Sequence, residues 1–203
     1  MRAACTKAGT VLIFDEVITG FRLSVGGAQA LFGVTPDLAT FGKAIANGFP
    51  VAALGGRADL LDRFVTDRVM HGGTYNAHPV NMAAAVATLR MLASPDIYGA
   101  IDRHGQRLMT GLTTILGRYG VPSRVQGFPG IFHVAFGTAK PIETFRDTYA
   151  IDRAGYAAFT TALIKRGVRA LERGAWFMSA RHDDAILDET LDIIESTARG
   201  LYA

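Results

Sequence analysis

Val11-Leu12-Ile13-Phe14 is an unbroken apolar run that stops on two acids, Asp15 and Glu16. A short run without polar alternation predicts a buried strand of a parallel sheet. Acids directly after such a strand stand where open α/β sheets bind their ligands. A carboxylate there is costly to desolvate, so it needs a partner or water.

The next segments repeat the theme. Residues 18–36 are rich in small residues and read as a loop with one short helix. Leu38–Phe41 and Val51–Leu54 read as two further short strands, with the breaker cluster Asn47-Gly48-Phe49-Pro50 between them. A helix is expected from Ala58 to about Val65. Pro79 suits a helix first turn, and Val80–Leu92 is Ala-rich and apolar on most sides, which predicts a buried helix. A long helix is expected from about Tyr98 to Tyr119. Beyond Pro122 the pattern changes. Ser123–Val125 and Ile131–Phe136 read as strands around the turn Gly127-Phe128-Pro129-Gly130. Asp152 can cap a helix to Arg166 with Gly167 past its end. Val168–Leu171 and Trp176–Met178 read as short strands. The last helix starts near Asp183, and Ile186, Thr190, Ile193, Ile194, Thr197 and Leu201 share one face. The expected organisation is an α/β region over residues 1–95, a linking helix over 96–119 and a small α+β domain over 120–203.

The 203 residues leave room for one domain, or one with a small appendage; 49% hydrophobic and 19% charged residues exclude general disorder. Cys5 is the single cysteine, which excludes an internal disulfide and a Cys-rich metal site and points to a reducing, cytoplasmic compartment. The net charge of +3 is scattered, without the basic stripe of a nucleic-acid binder. Met1–Thr10 lacks the apolar core of a signal peptide, and no stretch reaches the roughly 18 apolar residues of a membrane span.

Three places can carry chemistry. Asp15 is open to two readings, a helix cap or salt bridge (to Arg22, for example) and a functional acid. Lys43 alone among the lysines (Lys7, Lys43, Lys140 and Lys165) lies among apolar and glycine residues. Such an amine can lose its proton and attack carbonyls, although most lysines are simply solvated. The stretch from His71 to Pro79 holds Gly72-Gly73-Thr74 before a helix, an arrangement that can offer N–H groups and a hydroxyl to an anion. It lacks the Gly-Lys-Ser/Thr ending of a Walker loop. His71 and His78 have no set of metal partners and suit loop or capping roles; no metal is expected. An acid, a lysine and a Gly-Thr loop together suit a cofactor with a ring nitrogen, an aldehyde and a phosphate, which describes pyridoxal phosphate.

Phe14-Asp15-Glu16-Val17-Ile18-Thr19-Gly20-Phe21-Arg22 resembles the Asp-Glu-Val-x-Thr-Gly-Phe segment of class III aminotransferases. Pro36-Asp37-Leu38 with Phe41-Gly42-Lys43 resembles that family's lysine segment, and Gly73-Thr74 through Pro79 its Gly-Thr-x-x-x-x-Pro segment. Gly26-Gly27-Ala28-Gln29 and Arg173 through Ser179 are similar to the glutamate-1-semialdehyde aminomutase branch. The resemblance implies the C-terminal part of an aspartate aminotransferase-like (fold-type I) large domain followed by a small α+β domain. It implies that Lys43 holds pyridoxal phosphate as a Schiff base and then moves protons, while Asp15 keeps the ring nitrogen protonated. Val17 would pack on the ring. Thr74 would donate to the cofactor phosphate, often from the neighbouring subunit of a homodimer, with Gly73 allowing close approach. Glu16 would be structural, Gln29 near the ring, and Arg173 either a substrate contact or a surface residue. The substrates would be an amine or amino acid and a carbonyl compound. Two departures stand out. Asn76-Ala77-His78 replaces the usual Ser/Asn-Gly-Asn, and Phe41 replaces Leu. Class III enzymes are also much longer, with a phosphate-cradling loop and a ring-stacking aromatic before the Asp15 strand. The resemblance therefore covers the C-terminal half, and the alternative is a truncated non-catalytic fragment or a subunit that depends on a partner.

Overall fold

A computed structural model describes residues 1–66 and 69–203 of the chain. It divides into two compact units, Met1–Tyr98 and Gly99–Ala203.

The first unit holds a three-stranded sheet of β1 (Ile13–Asp15), β2 (Leu38–Phe41) and β3 (Ala53–Gly56). β1 and β2 are parallel, with Asp15 opposite Thr40; β3 returns antiparallel to β2. The helices are α1 (Arg2–Ala8), α2 (Gly27–Phe32), α3 (Ala58–Val65) and α4 (Pro79–Leu92). α4 packs through Ala85 on Ile45 and Ala46 of a 3-10 turn at Lys43–Ala46, flanked by Phe21, Phe41, Val51 and Leu89. Asn81 donates to the Pro50 carbonyl at 2.9 Å and ties α4 to the segment before β3.

Two expectations need correction here. β1 is parallel, as read, but it is not buried: Ile13 is 55% exposed and Val11 42%. It is the edge strand of its sheet, so a neighbour covers it on one side only. α4 has the expected bounds, yet only Ala85 is buried in it, and Val80 and Met91 are 57% and 67% exposed. An all-round apolar helix buries only the face that meets a neighbour.

The second unit has an antiparallel sheet in the order β4 (Ser123–Phe128), β5 (Ile131–Phe136) and β6 (Ala175–Phe177). Pairing runs up to Phe128 opposite Ile131, so the hairpin turn is only Pro129-Gly130. α5 (Pro95–Arg118) starts in the first unit and runs mainly in the second, so the expected linking helix is largely a core element there. Its Ile101, Leu108, Leu112, Ile115 and Leu116 are buried at helical spacing. Gly105 and Gly111 make this packing close. A Cβ at Gly105 would lie 2.2 Å from the Pro129 oxygen, and one at Gly111 would lie 2.4 Å from Leu191.

α6 (Arg153–Ile164) and α7 (Asp184–Tyr202) complete the unit, each started by an aspartate side chain that accepts from the third following amide: Asp152 from Gly155, Asp183 from Ile186. The core joins Phe132, Val134 and Phe136 of β5 to Tyr156, Phe159, Trp176 and Ile194. Trp176 stacks on Phe132 and donates to the Tyr156 hydroxyl at 2.7 Å. Burial raises the Tyr156 phenol to about 12, so it stays protonated despite the Trp176 bond. Val168–Leu171 is not a strand, and the buried face of α7 is Leu187, Ile194, Thr197 and Ala198, rotated from the expected one.

Candidate active site

Because β1 and β2 are parallel, their chain ends leave the sheet at the same edge. Asp15 is the last residue of β1, and Lys43 follows β2 by two residues. Asp15 is exposed there. Its Oδ1 accepts from the Val17 amide at 3.0 Å and lies 3.4 Å from the Thr40 hydroxyl. Among the described residues both contacts fall on Oδ1, which leaves Oδ2 open to a donor such as a protonated ring nitrogen. No helix starts after Asp15, so it is not a helix cap; its Oδ1 holds the turn through the Val17 amide.

Lys43 opens the 3-10 turn with φ 46°, a left-handed conformation uncommon outside glycine. Its side chain is exposed and has no ion pair among the described residues. Val17 approaches the same point: a Cβ at Gly42 would lie 3.4 Å from the Val17 side chain. Asp15, Val17, Gly42 and Lys43 therefore form one cluster at the sheet edge. An open carboxylate oxygen, an unpaired amine and an apolar side chain match in kind the ring nitrogen, aldehyde and ring face of pyridoxal phosphate.

Gly73 and Thr74 lie in an exposed turn before α4, where the Asn76 amide donates to the Gly73 oxygen at 3.0 Å. A Cβ at Gly73 would lie 2.8 Å from Asn76 Oδ1, so a bare position suits this turn. No hydrogen bond among the described residues joins this turn to Asp15 or Lys43, although α4, which it precedes, packs on the turn that carries Lys43. Ala77 has φ 54°, so the departure from glycine places a Cβ in the left-handed region. His71 stays in the loop, 3.4 Å from Asn76 Nδ2, and His78 is the N-cap residue of α4 without a side-chain cap bond. Among the described residues no group of three or more acids, histidines or cysteines is placed to hold a metal ion.

Glu16 faces the opposite way from Asp15 and is 1% exposed. Its carboxylate accepts from the Thr19 hydroxyl at 2.5 Å and from the amides of Ala28 and Gln29 at 2.9 Å each. Burial opposes its ionisation, but these bonds outweigh burial and hold the carboxyl below the usual range. Gln29 also directs its side-chain amide at Glu16, at 3.5 Å. Asp37 is a second buried acid. It accepts from the Leu12 amide at 2.7 Å and pairs with Arg2 at 2.8 Å and Arg57 at 3.1 Å, which holds its carboxyl well below the ordinary range. Sequence reasoning missed the partners of Asp37 and the Thr40 contact, since each lies 20 or more residues away. The pairing of β1 with β2 is the one signal that could have placed Thr40. Arg173 offers its backbone oxygen to His133 Nε2 at 3.1 Å, in the second unit.

The family model described as Aminotransferase class-III matches residues 1–197. The glutamate-1-semialdehyde 2,1-aminomutase of Desulfatibacillum aliphaticivorans is 37% identical over 204 residues, covering 99% of this chain and 48% of that protein. An omega-transaminase from Sphaerobacter thermophilus superposes with a TM-score of 0.87 at 32% identity, over 98% of this chain and 46% of its own. A transaminase solved with PLP bound gives 0.87 at 27% identity, over 98% and 46%. The chain spans about half the length of these relatives. Its two units are thus the C-terminal portion of the fold-type I transaminase architecture, and the match over almost every residue establishes that the chain belongs to the class III aminotransferase family.

Proposed function

We propose that this chain supplies the lysine-bearing part of a pyridoxal-phosphate enzyme that moves an amino group between an amine or amino acid and a carbonyl compound, as a transaminase or an aminomutase. One observation carries the reading: Asp15, with an open carboxylate oxygen, and Lys43, with an unpaired amine, stand at the same edge of a parallel strand pair. Bound pyridoxal phosphate supplies an aldehyde and an electron-withdrawing ring, and Lys43 would hold it as a Schiff base. Asp15 would keep the ring nitrogen protonated, Val17 would cover a ring face, and the Lys43 amine would carry the proton between reacting carbons. Gly73 and Thr74 would meet the cofactor phosphate. Their distance in bonding from Asp15 and Lys43 suits a homodimer in which each turn serves the neighbouring site. No helix among the described residues is long and apolar enough to cross a membrane, and the free Cys5 suits a cytoplasmic setting.

The test is cofactor titration followed by borohydride reduction and peptide mapping. The expected label is on Lys43, and Lys43→Ala abolishes the visible absorbance. A label on Lys7, Lys140 or Lys165 overturns the assignment. A second reading, a subunit whose site is completed by another chain, is favoured by the exposed apolar residues of β1 and α4. Stoichiometric cofactor and turnover by this chain alone would exclude it.

A further inference from the structure

Beside the open acid at the end of β1 lies a closed one. Asp15 and Glu16 are consecutive, and the extended backbone turns them to opposite sides. The Glu16 amide still bonds the Thr40 oxygen at 2.9 Å, so the strand ladder continues one residue past β1. From there the chain must bend, and the Gly20 amide donates back to the Glu16 oxygen at 2.8 Å. The Glu16 side chain crosses to another segment altogether, the Gly27–Gln29 corner that opens α2. Gly27 has φ 65°, and a Cβ there would fall 2.6 Å from Glu16 Oε2. The corner is therefore shaped around this carboxylate, with no room for a side chain between them.

Resting on the functional reading above, we propose that Glu16 is a positioning residue: it fastens the turn after β1 to the corner at residues 27–29 and so fixes the direction in which Asp15 and Val17 face the cofactor. Among the described residues the Asp15 side chain is held by the Val17 amide and the Thr40 hydroxyl, both exposed contacts. The turn that carries the Val17 amide is anchored by Glu16, through Thr19 on its near side and Ala28 and Gln29 on its far side. Loss of the carboxylate leaves two amides and a hydroxyl without their acceptor and frees the turn to rotate. The open oxygen of Asp15 then loses its aim although Asp15 is untouched.

The test compares Glu16→Ala, Glu16→Gln and Thr19→Ala with the parent chain, and uses Leu12→Ala as a control of similar destabilisation away from the carboxylate. Amide exchange is read first, without cofactor. Exchange at Val17 is expected to accelerate about tenfold or more in Glu16→Ala, together with Ala28 and Gln29, and less in Glu16→Gln, which keeps one acceptor oxygen. Parent-like protection at Val17 overturns the proposal. If Glu16→Ala fails to fold, Glu16→Gln and Thr19→Ala carry the same comparison. Titration with pyridoxal phosphate is read second. Affinity is expected to fall about tenfold in Glu16→Gln, a loss near 1.4 kcal/mol, and the pH midpoint of the bound absorbance is expected to shift; Leu12→Ala moves neither in this way. Unchanged affinity and midpoint overturn the positioning role even where exchange is faster. A parent chain that takes up no cofactor removes the functional reading, whereas the exchange result still decides whether Glu16 holds the turn.

Discussion

The two units bury different chemistry. In the second, the largest fully buried side chains among the described residues are apolar: Phe136, Phe159, Leu112, Leu116, Leu163, Leu187, Ile194 and Val134. In the first, Glu16, a carboxylate, is the one side chain of that class among the described residues. Backbone strain divides the same way. Among the described residues the non-glycine positions with positive φ are Phe21, Lys43, Asn47 and Ala77, all in the first unit. The second unit is a packed core and depends on volume. The first sets buried carboxylates, held by aimed hydrogen bonds, beside a small apolar cluster at Ile45, Ala46 and Ala85, and it carries the candidate site. Apolar packing tolerates small shifts of direction, while a carboxylate with three donors does not. Strain of this kind persists where the surroundings over-determine it, and it gathers at functional sites.

Three experiments test this contrast. Phe159→Ala empties a fully buried ring position and is expected to cost the second unit about 3–5 kcal/mol. Trp176 is the only tryptophan and is buried in that unit, so its fluorescence in urea reads the loss. Amide exchange at Ala28 and Gln29 should stay as in the parent; equal loss there would mean that the two regions unfold as one. Acid acts on the other side of the contrast. Glu16 and Asp37 ionise more readily in the folded chain than free carboxylates do. Their stabilisation is therefore full above the ordinary carboxylate range, about pH 4, and is lost as pH falls through their lowered folded values. Protection of the Leu12, Ala28 and Gln29 amides should vanish on acidification before Trp176 fluorescence changes, and the reverse order would sink the distinction. The smallest effect is expected for Ala77→Gly. It removes a Cβ from a left-handed position and should stabilise by up to about 1 kcal/mol, the left-handed penalty less the added unfolded entropy. Destabilisation, measured by thermal melting, would show that Ala77 is not under strain.

Much of this was legible in local chemistry. Ile131–Phe136, the cap Asp152, the helix start near Asp183, and Pro79 at the head of α4 all stand where the residues predict, because each signal acts within four residues of its cause. The placing of Asp15 at a strand end followed from the apolar run before it. What was not legible depends on distant partners. α1 is a short helix closed by Gly9 at φ 63°, and its Arg2 reaches Asp37 across the chain. The 3-10 turn at Lys43 was hidden between Gly42 and Asn47, residues that announce a break without naming its form. In α7 apolar residues occupy adjoining stripes, and the buried one lies on the side where Leu191 approaches Gly111 of α5, a partner 80 residues away. The exposed faces of β1 and α4 were invisible for the same reason: an apolar pattern says what ought to be covered, not whether a neighbour in this chain covers it.

β1 has only three residues, and its pairing with β2 is set by three opposed positions. Two adjacent acids leave it with opposite fates, one toward the solvent and one toward the interior. A slip of a single residue in that pairing would exchange them, sealing the acid that must meet a ligand and stripping the other of its donors. An insertion or deletion between Ile13 and Glu16 is thus a change of chemistry rather than of length.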